Sequence, residues 1–172
     1  MTKIAAAILA LLFVWPTSAQ APSAPAADIS AATIQAIMEK RSGDEIIRMI
    51  NAGTINVGVA VLQYPKGDRA TAGAIAHNDV PEVYYVLRGE GTMYTGGALE
   101  NGGTAFAPDS APAQVAGPSS SGTARGNVVS RKIGPGDVVI VPAHTPHVVK
   151  DVTSDIAFLI VRIDPTKVMK LK

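Results

Sequence analysis

The chain contains only three histidines, and all of them fall in two compact segments. The first reads His77-Asn78-Asp79-Val80-Pro81-Glu82-Val83-Tyr84-Tyr85-Val86-Leu87-Arg88-Gly89. The second reads Gly136-Asp137-Val138-Val139-Ile140-Val141-Pro142-Ala143-His144-Thr145-Pro146-His147, with Asp151 following. Imidazole and carboxylate are the ligand types that hold Fe, Mn, Zn or Ni, and affinity alone discriminates poorly among these ions. Two His and one carboxylate leave positions open, which a catalytic metal needs because water or substrate must reach it. Cys is absent, which removes thiolate ligands, disulfides and a Cys nucleophile together.

The two segments resemble the paired motifs of the cupin superfamily. The first cupin motif carries a His-X-His pair, a Glu three or four residues on, and a Gly after six more. Here His77 matches its second His, four residues precede Glu82, and six lead on to Gly89. In the second motif Gly136, Pro142 and His147 fall in register. Three positions depart from the pattern. Ile75 stands where the first His would be, His144 where a Gly follows the Pro, and Asp151 where the motif ends in Asn. The resemblance implies a jelly-roll β-barrel and a divalent transition metal (Fe, Mn, Zn or Ni) held by His77, Glu82 and His147. It also implies small organic substrates, with dioxygenases, lyases and isomerases among the activities, and homodimers formed through barrels and β-edges.

Strand geometry agrees with that carry-over. Alternate residues of a strand share a face, so Glu82, Tyr84 and Val86 point one way and Val83, Tyr85 and Leu87 the other. Ile75 and His77 likewise share a face. Tyr84 and Glu82 are the candidate catalytic residues, able to move a proton; a core Tyr with a satisfied hydroxyl is the competing reading. Glu82 has an alternative as an ion-pair partner of Arg88 or Arg162. Asp79 and Asp151 are candidate acceptors for an imidazole N–H. His144 is expected to be exposed, its alternative being a replacement for the ligand missing at Ile75.

The elements that must position these residues are mostly strands. β-rich runs punctuated by turns occur at 55–64, 72–77, 83–87, 92–95, 127–133, 138–141, 147–152 and 156–163. Without interleaved helices they argue an all-β barrel or sandwich. Residues 29–53 read as a short helical segment covering a barrel end. Asp28 or Ser30 caps Ala31 to Lys40, and Ser42 with Glu45 forms a capping-box pattern opening Ile46 to Asn51. The barrel domain spans 54–172. Residues 96–126, rich in Gly, Ala, Pro and Ser, predict a long loop, disordered or a mobile flap, with a defined lid as the alternative.

The N-terminus carries a different message. Lys3 precedes an apolar run from Ile4 to Trp15, followed by small residues, which predicts a signal peptide over 1–19 with cleavage after Ala19 or Ala21. The run is too short to span a bilayer, which takes roughly 20 apolar residues. The expected destination is periplasmic or secreted, with no membrane span after cleavage. Residues 20–28 then read as a flexible linker. Without residues 1–19, Lys+Arg falls from 15 to 14 against 14 Asp+Glu, so the mature chain is formally neutral. Nothing in that balance favours nucleic acid. The expected function is a metal-binding barrel acting as a mononuclear enzyme on a small molecule, against a non-catalytic module holding a small ligand or a metal.

Overall fold

The computed structural model describes residues 25–172. The predicted signal peptide and most of the linker lie outside the described residues. The chain runs α1 (Ala31–Lys40), β1 (Asp44–Asn51), β2 (Asn56–Tyr64), β3 (Ala74–His77), β4 (Glu82–Leu99), β5 (Thr104–Ala105), α2 (Ala111–Ala116), β6 (Ser119–Gly122), β7 (Ala124–Ile133), β8 (Val138–Val141) and β9 (His147–Asp164). The fold is all-β, as expected, with nine strands among the described residues rather than eight. Expected strands 83–87 and 92–95 are one strand, β4, and 147–152 and 156–163 are likewise one, β9. Among the described residues, no helix is long and apolar enough to cross a membrane.

The two long strands organise the molecule. β4 and β9 have 18 residues each and pair antiparallel from Glu82 opposite Arg162 to Thr95 opposite His147. A straight strand of that length would reach about 60 Å, far beyond the core of a domain this size. Both therefore bend, and the register shifts between Val86 and Thr92 mark the place. Gly89 sits there with φ 75°. A Cβ at this position would collide with the Asp155 carbonyl and Ile156 Cα of β9. The last residue of the first motif is thus Gly because two backbones touch where the sheet folds over.

The remaining strands attach on either side of the bend. β2 pairs with β9 from Asn56 opposite Asp164 to Tyr64 opposite Ile156, and β1 lies outside β2. β8 flanks Glu82 to Tyr85 of β4, while β7 flanks Gly91 to Leu99. β3 joins β9 at Ile75 opposite His147 and pairs with β6, which pairs with β5. The sheet does not close into a ring, since β1 and β5 end the pairing path. Its inner faces nevertheless share one core, with Leu62, Val86, Met93, Ile133, Val141, Val149, Phe158 and Ile160 in a single buried cluster.

Three expectations need correction. Residues 46–51 belong to strand β1, not to a helix. Ser42 Oγ does reach Glu45 Oε2 at 2.7 Å, but β-branched Ile46, Ile47 and Ile50 gain more by pairing with β2 than an isolated short helix could offer. Among the described residues the N-terminal helix is α1, capped by Ser30, whose Oγ accepts from Thr33 N–H at 3.1 Å. It covers the outer face of the sheet rather than a barrel end, packing Ile37 and Met38 on Val61 and Ala157. Residues 96–126 are not a disordered loop. They form a 3₁₀ turn at Glu100–Gly102, then β5, α2 and β6. The Ser-rich tract at 119–122 is a strand because β3 presents a free edge beside it.

Candidate metal centre

The first motif delivers its side chains through β3 and β4. Glu82, Tyr84 and Val86 are buried, whereas Tyr85 on the opposite face is 43% exposed. His77 ends β3 and His147 begins β9. The backbone N–H of His144 donates to the His77 carbonyl at 2.7 Å, stitching the second motif to the first. One ligand atom each from His77, Glu82 and His147 lies within 4.8 Å of the others, and all three residues are buried.

Hydrogen bonds at Nδ1 orient both imidazoles. Ser119 Oγ donates to the Gly117 carbonyl at 2.8 Å, so toward His77 Nδ1, 2.7 Å away, it can only accept. His77 Nδ1 therefore carries a proton. His147 Nδ1 lies 3.0 Å from the Thr145 carbonyl, which also only accepts. With Nδ1 of each ring engaged in this way, Nε2 is the nitrogen turned inward, the atom a metal would take. Those atoms lie 3.2 Å (His77) and 3.3 Å (His147) from Glu82 Oε2. Two ligands about 2.1 Å from one ion are separated by roughly 3.0 to 3.4 Å at octahedral to tetrahedral angles. The residues present thus fit a divalent metal ion.

Glu82 can offer that ion a single oxygen. Its Oε1 accepts from Arg162 Nε at 2.7 Å, and Arg162 clamps Asp44 with Nη1 at 3.0 Å and Nη2 at 2.6 Å. Nη1 also donates to the Val115 carbonyl of α2. Burial alone would raise the Glu82 pKa. The Arg162 charge and the hydrogen bonds from His147 and His77 outweigh it and hold the carboxyl well below its usual range. Glu82 is therefore an anion with one oxygen satisfied and the other facing the imidazoles. The ion pair with Arg162 and the approach to the histidines coexist.

Tyr84 is the fourth polar group. Its hydroxyl donates to Glu82 Oε2 at 2.7 Å and lies 3.1 Å from His147 Nε2. Burial and the Glu82 charge push its pKa well above the phenol value, so it stays protonated. Ile75 shares the face of His77 and lines the same cavity, offering no ligand atom.

The other candidates lie elsewhere. His144 is exposed, with φ 62°, and stands outside the ligand group. Asp151 accepts from Tyr94 at 3.2 Å, not from an imidazole. The imidazole acceptors are Ser119 and a backbone carbonyl, in place of Asp79 and Asp151. Ser119 and Asp44 were missed by sequence reasoning. A Ser in a Ser-rich tract carries no distinguishing signal, and Asp44 lies far along the chain from its partner.

The site opens into a cavity of about 80 Å³ whose walls include Asp44, Tyr64, Arg69, Ile75, Val115 and Arg162. The cupin family profile matches residues 51–171. The chain belongs to the cupin family. Curated protein sequences contain no significant match to this cupin. Among solved structures it is similar to BH2720 of Bacillus halodurans, at 13% identity and TM-score 0.49, over 84% of this chain and 86% of that one. It is also similar to the DMSP lyase DddQ of Ruegeria pomeroyi, at 15% identity and TM-score 0.44, over 81% of this cupin and 52% of the lyase. A cupin superfamily protein of Desulfitobacterium hafniense matches at 12% identity and TM-score 0.40, over 72% and 80% of the two chains.

Proposed function

We propose that this cupin is an exported, mononuclear metal-dependent enzyme acting on a small organic molecule by dioxygenase, lyase or isomerase chemistry. The observation that carries the reading is the pair of inward Nε2 atoms meeting one carboxylate oxygen of Glu82 beside a cavity. His77, Glu82 and His147 would hold the ion, and Ser119 and Thr145 keep both imidazoles in the ligating tautomer. When bound, a divalent ion supplies Lewis-acid polarisation of a carbonyl or carboxylate, or a place for oxygen beside the substrate. Ile75 adds no ligand, which supports coordination positions left for substrate.

The chain's own groups supply the rest. Tyr84 holds a proton at its hydroxyl between Glu82 and His147, where it can donate to a substrate atom in the cavity. Arg162 keeps Glu82 ionised and turned toward the imidazoles. Pro112 and Val115 from the α2 segment wall the cavity and limit water. Export rests on the apolar run and small residues of 1–19.

A second reading, a non-catalytic module for a small ligand or metal, is favoured by Ile75, which lays an apolar side chain where the cupin motif has its first His. Titrating Mn, Fe, Ni and Zn onto chelator-treated protein, then screening small substrates with the loaded form, separates the two. The enzyme reading expects one ion per chain and turnover lost in Tyr84→Phe with the ion retained. Binding without turnover of any screened class favours the module, and no uptake of any ion sinks both metal readings.

A further inference from the structure

The cavity has a second cation besides Arg162, and its bonding differs. Arg69 lines the cavity wall. Its guanidinium lies over the Tyr64 ring, 3.7 Å from the centroid, and its Nε donates to the Val149 carbonyl at 3.0 Å. These two contacts fix the plane of the head group while leaving the Nη1 and Nη2 edge without a protein hydrogen bond among the described residues. Nor does Arg69 form an ion pair with any carboxylate among them. Arg162, by contrast, is occupied by Asp44, Glu82 and Val115.

Charge balance points the same way. Arg69 and Arg162 against Asp44 and Glu82 sum to zero (two positive, two negative) around the cavity. A divalent ion on the histidines would leave an excess of two positive charges in a confined space, which an anionic ligand offsets. A planar guanidinium edge held in place by stacking matches a planar carboxylate. A cavity near 80 Å³ admits only a few heavy atoms.

We propose that Arg69 is the anchor for a small carboxylate substrate, gripping it through Nη1 and Nη2 within the cavity onto which His77 and His147 open. This names the substrate class of the site proposed above and rests on that cavity being the substrate site. Arg69 itself needs no metal, so the two ideas fail separately.

The test uses acetate and its neutral isostere acetamide as probes, on the full chain, both chelator-treated and loaded with Zn. Binding is read by calorimetry and by the rise in melting temperature. Acetate should stabilise both forms in a concentration-dependent way, and more strongly with Zn, while acetamide should not. Arg69→Met should weaken acetate binding roughly tenfold or more with Zn content unchanged. Arg69→Lys, which keeps the charge but loses the fork, should fall between. Equal binding of acetate and acetamide, or Arg69→Met binding acetate like the parent, overturns the proposal. If Arg69→Met does not fold, the acetate–acetamide contrast together with Arg69→Lys decides. Zn uptake failing while acetate still binds through Arg69 would overturn the metal reading and leave this one standing.

Discussion

Ser119 fixes the tautomer of His77 through two hydrogen bonds, one donated to Gly117 and one accepted from the ring. Ser119→Ala removes the acceptor and frees the ring to turn. Metal affinity should fall about 10- to 100-fold, the usual cost of losing an orienting partner, with little change in melting temperature of the metal-free protein. Competition against a chromogenic chelator measures it, and unchanged affinity would count against the tautomer argument. Glu82 makes a pH prediction for the metal-free form. Its folded pKa is depressed by Arg162 and the imidazoles despite burial, so below about 4.3, the unfolded value, the unfolded chain binds the proton more readily. Stability is then present above that pH and lost as the pH falls further. Tyr64 and Tyr84 act at the other end: burial raises both, so stability is full below about 10 and lost as pH rises through their folded values. Urea unfolding across pH should show both limbs, and Tyr84→Phe should flatten the alkaline one. A parent whose stability is unchanged above pH 10 would contradict this.

At the scale of elements, the bend in β4 and β9 decides whether the motif side chains meet. Gly89→Ala combines a left-handed φ of 75° with a collision against Asp155 of β9. It should cost well above the roughly 1–2 kcal/mol that a left-handed conformation alone imposes. Gly136→Ala is the comparison, because its φ is 91° but its Cβ would point into open space, leaving only the conformational cost. Chemical denaturation should rank Gly89→Ala the more destabilised, and the reverse order would contradict the account of the bend. The same elements show what could be read in advance. The period-two alternation of Glu82, Tyr84 and Val86 placed them on the buried face, as found. The segment 44–51 misled because its local Ser-X-X-Glu signal competes with a pairing to β2 that only the assembled sheet provides. The 96–126 tract misled because small polar residues look unstructured until β3 offers them an edge.

For the whole molecule, long-range contacts set the limits of legibility. The sequence spacing located His77, Glu82 and His147, since motif register is local. It could not reveal Arg162 bonded to Asp44 across 118 positions, or the α2 carbonyl of Val115 that completes the guanidinium's partners. Those contacts tie β1, β4, β9 and α2 into one frame around the site. The frame explains why a buried carboxylate can stay ionised beside two histidines: charge is balanced by the fold, not by neighbours in sequence. Despite Ile75, this frame presents a His-Glu-His set that can hold a metal ion. Elemental mass spectrometry of the purified protein beside His147→Ala tests it most directly. Stoichiometric Fe, Mn, Ni or Zn in the parent, lost in His147→Ala, is the predicted result. A parent that takes up none of the four ions when they are supplied would contradict it.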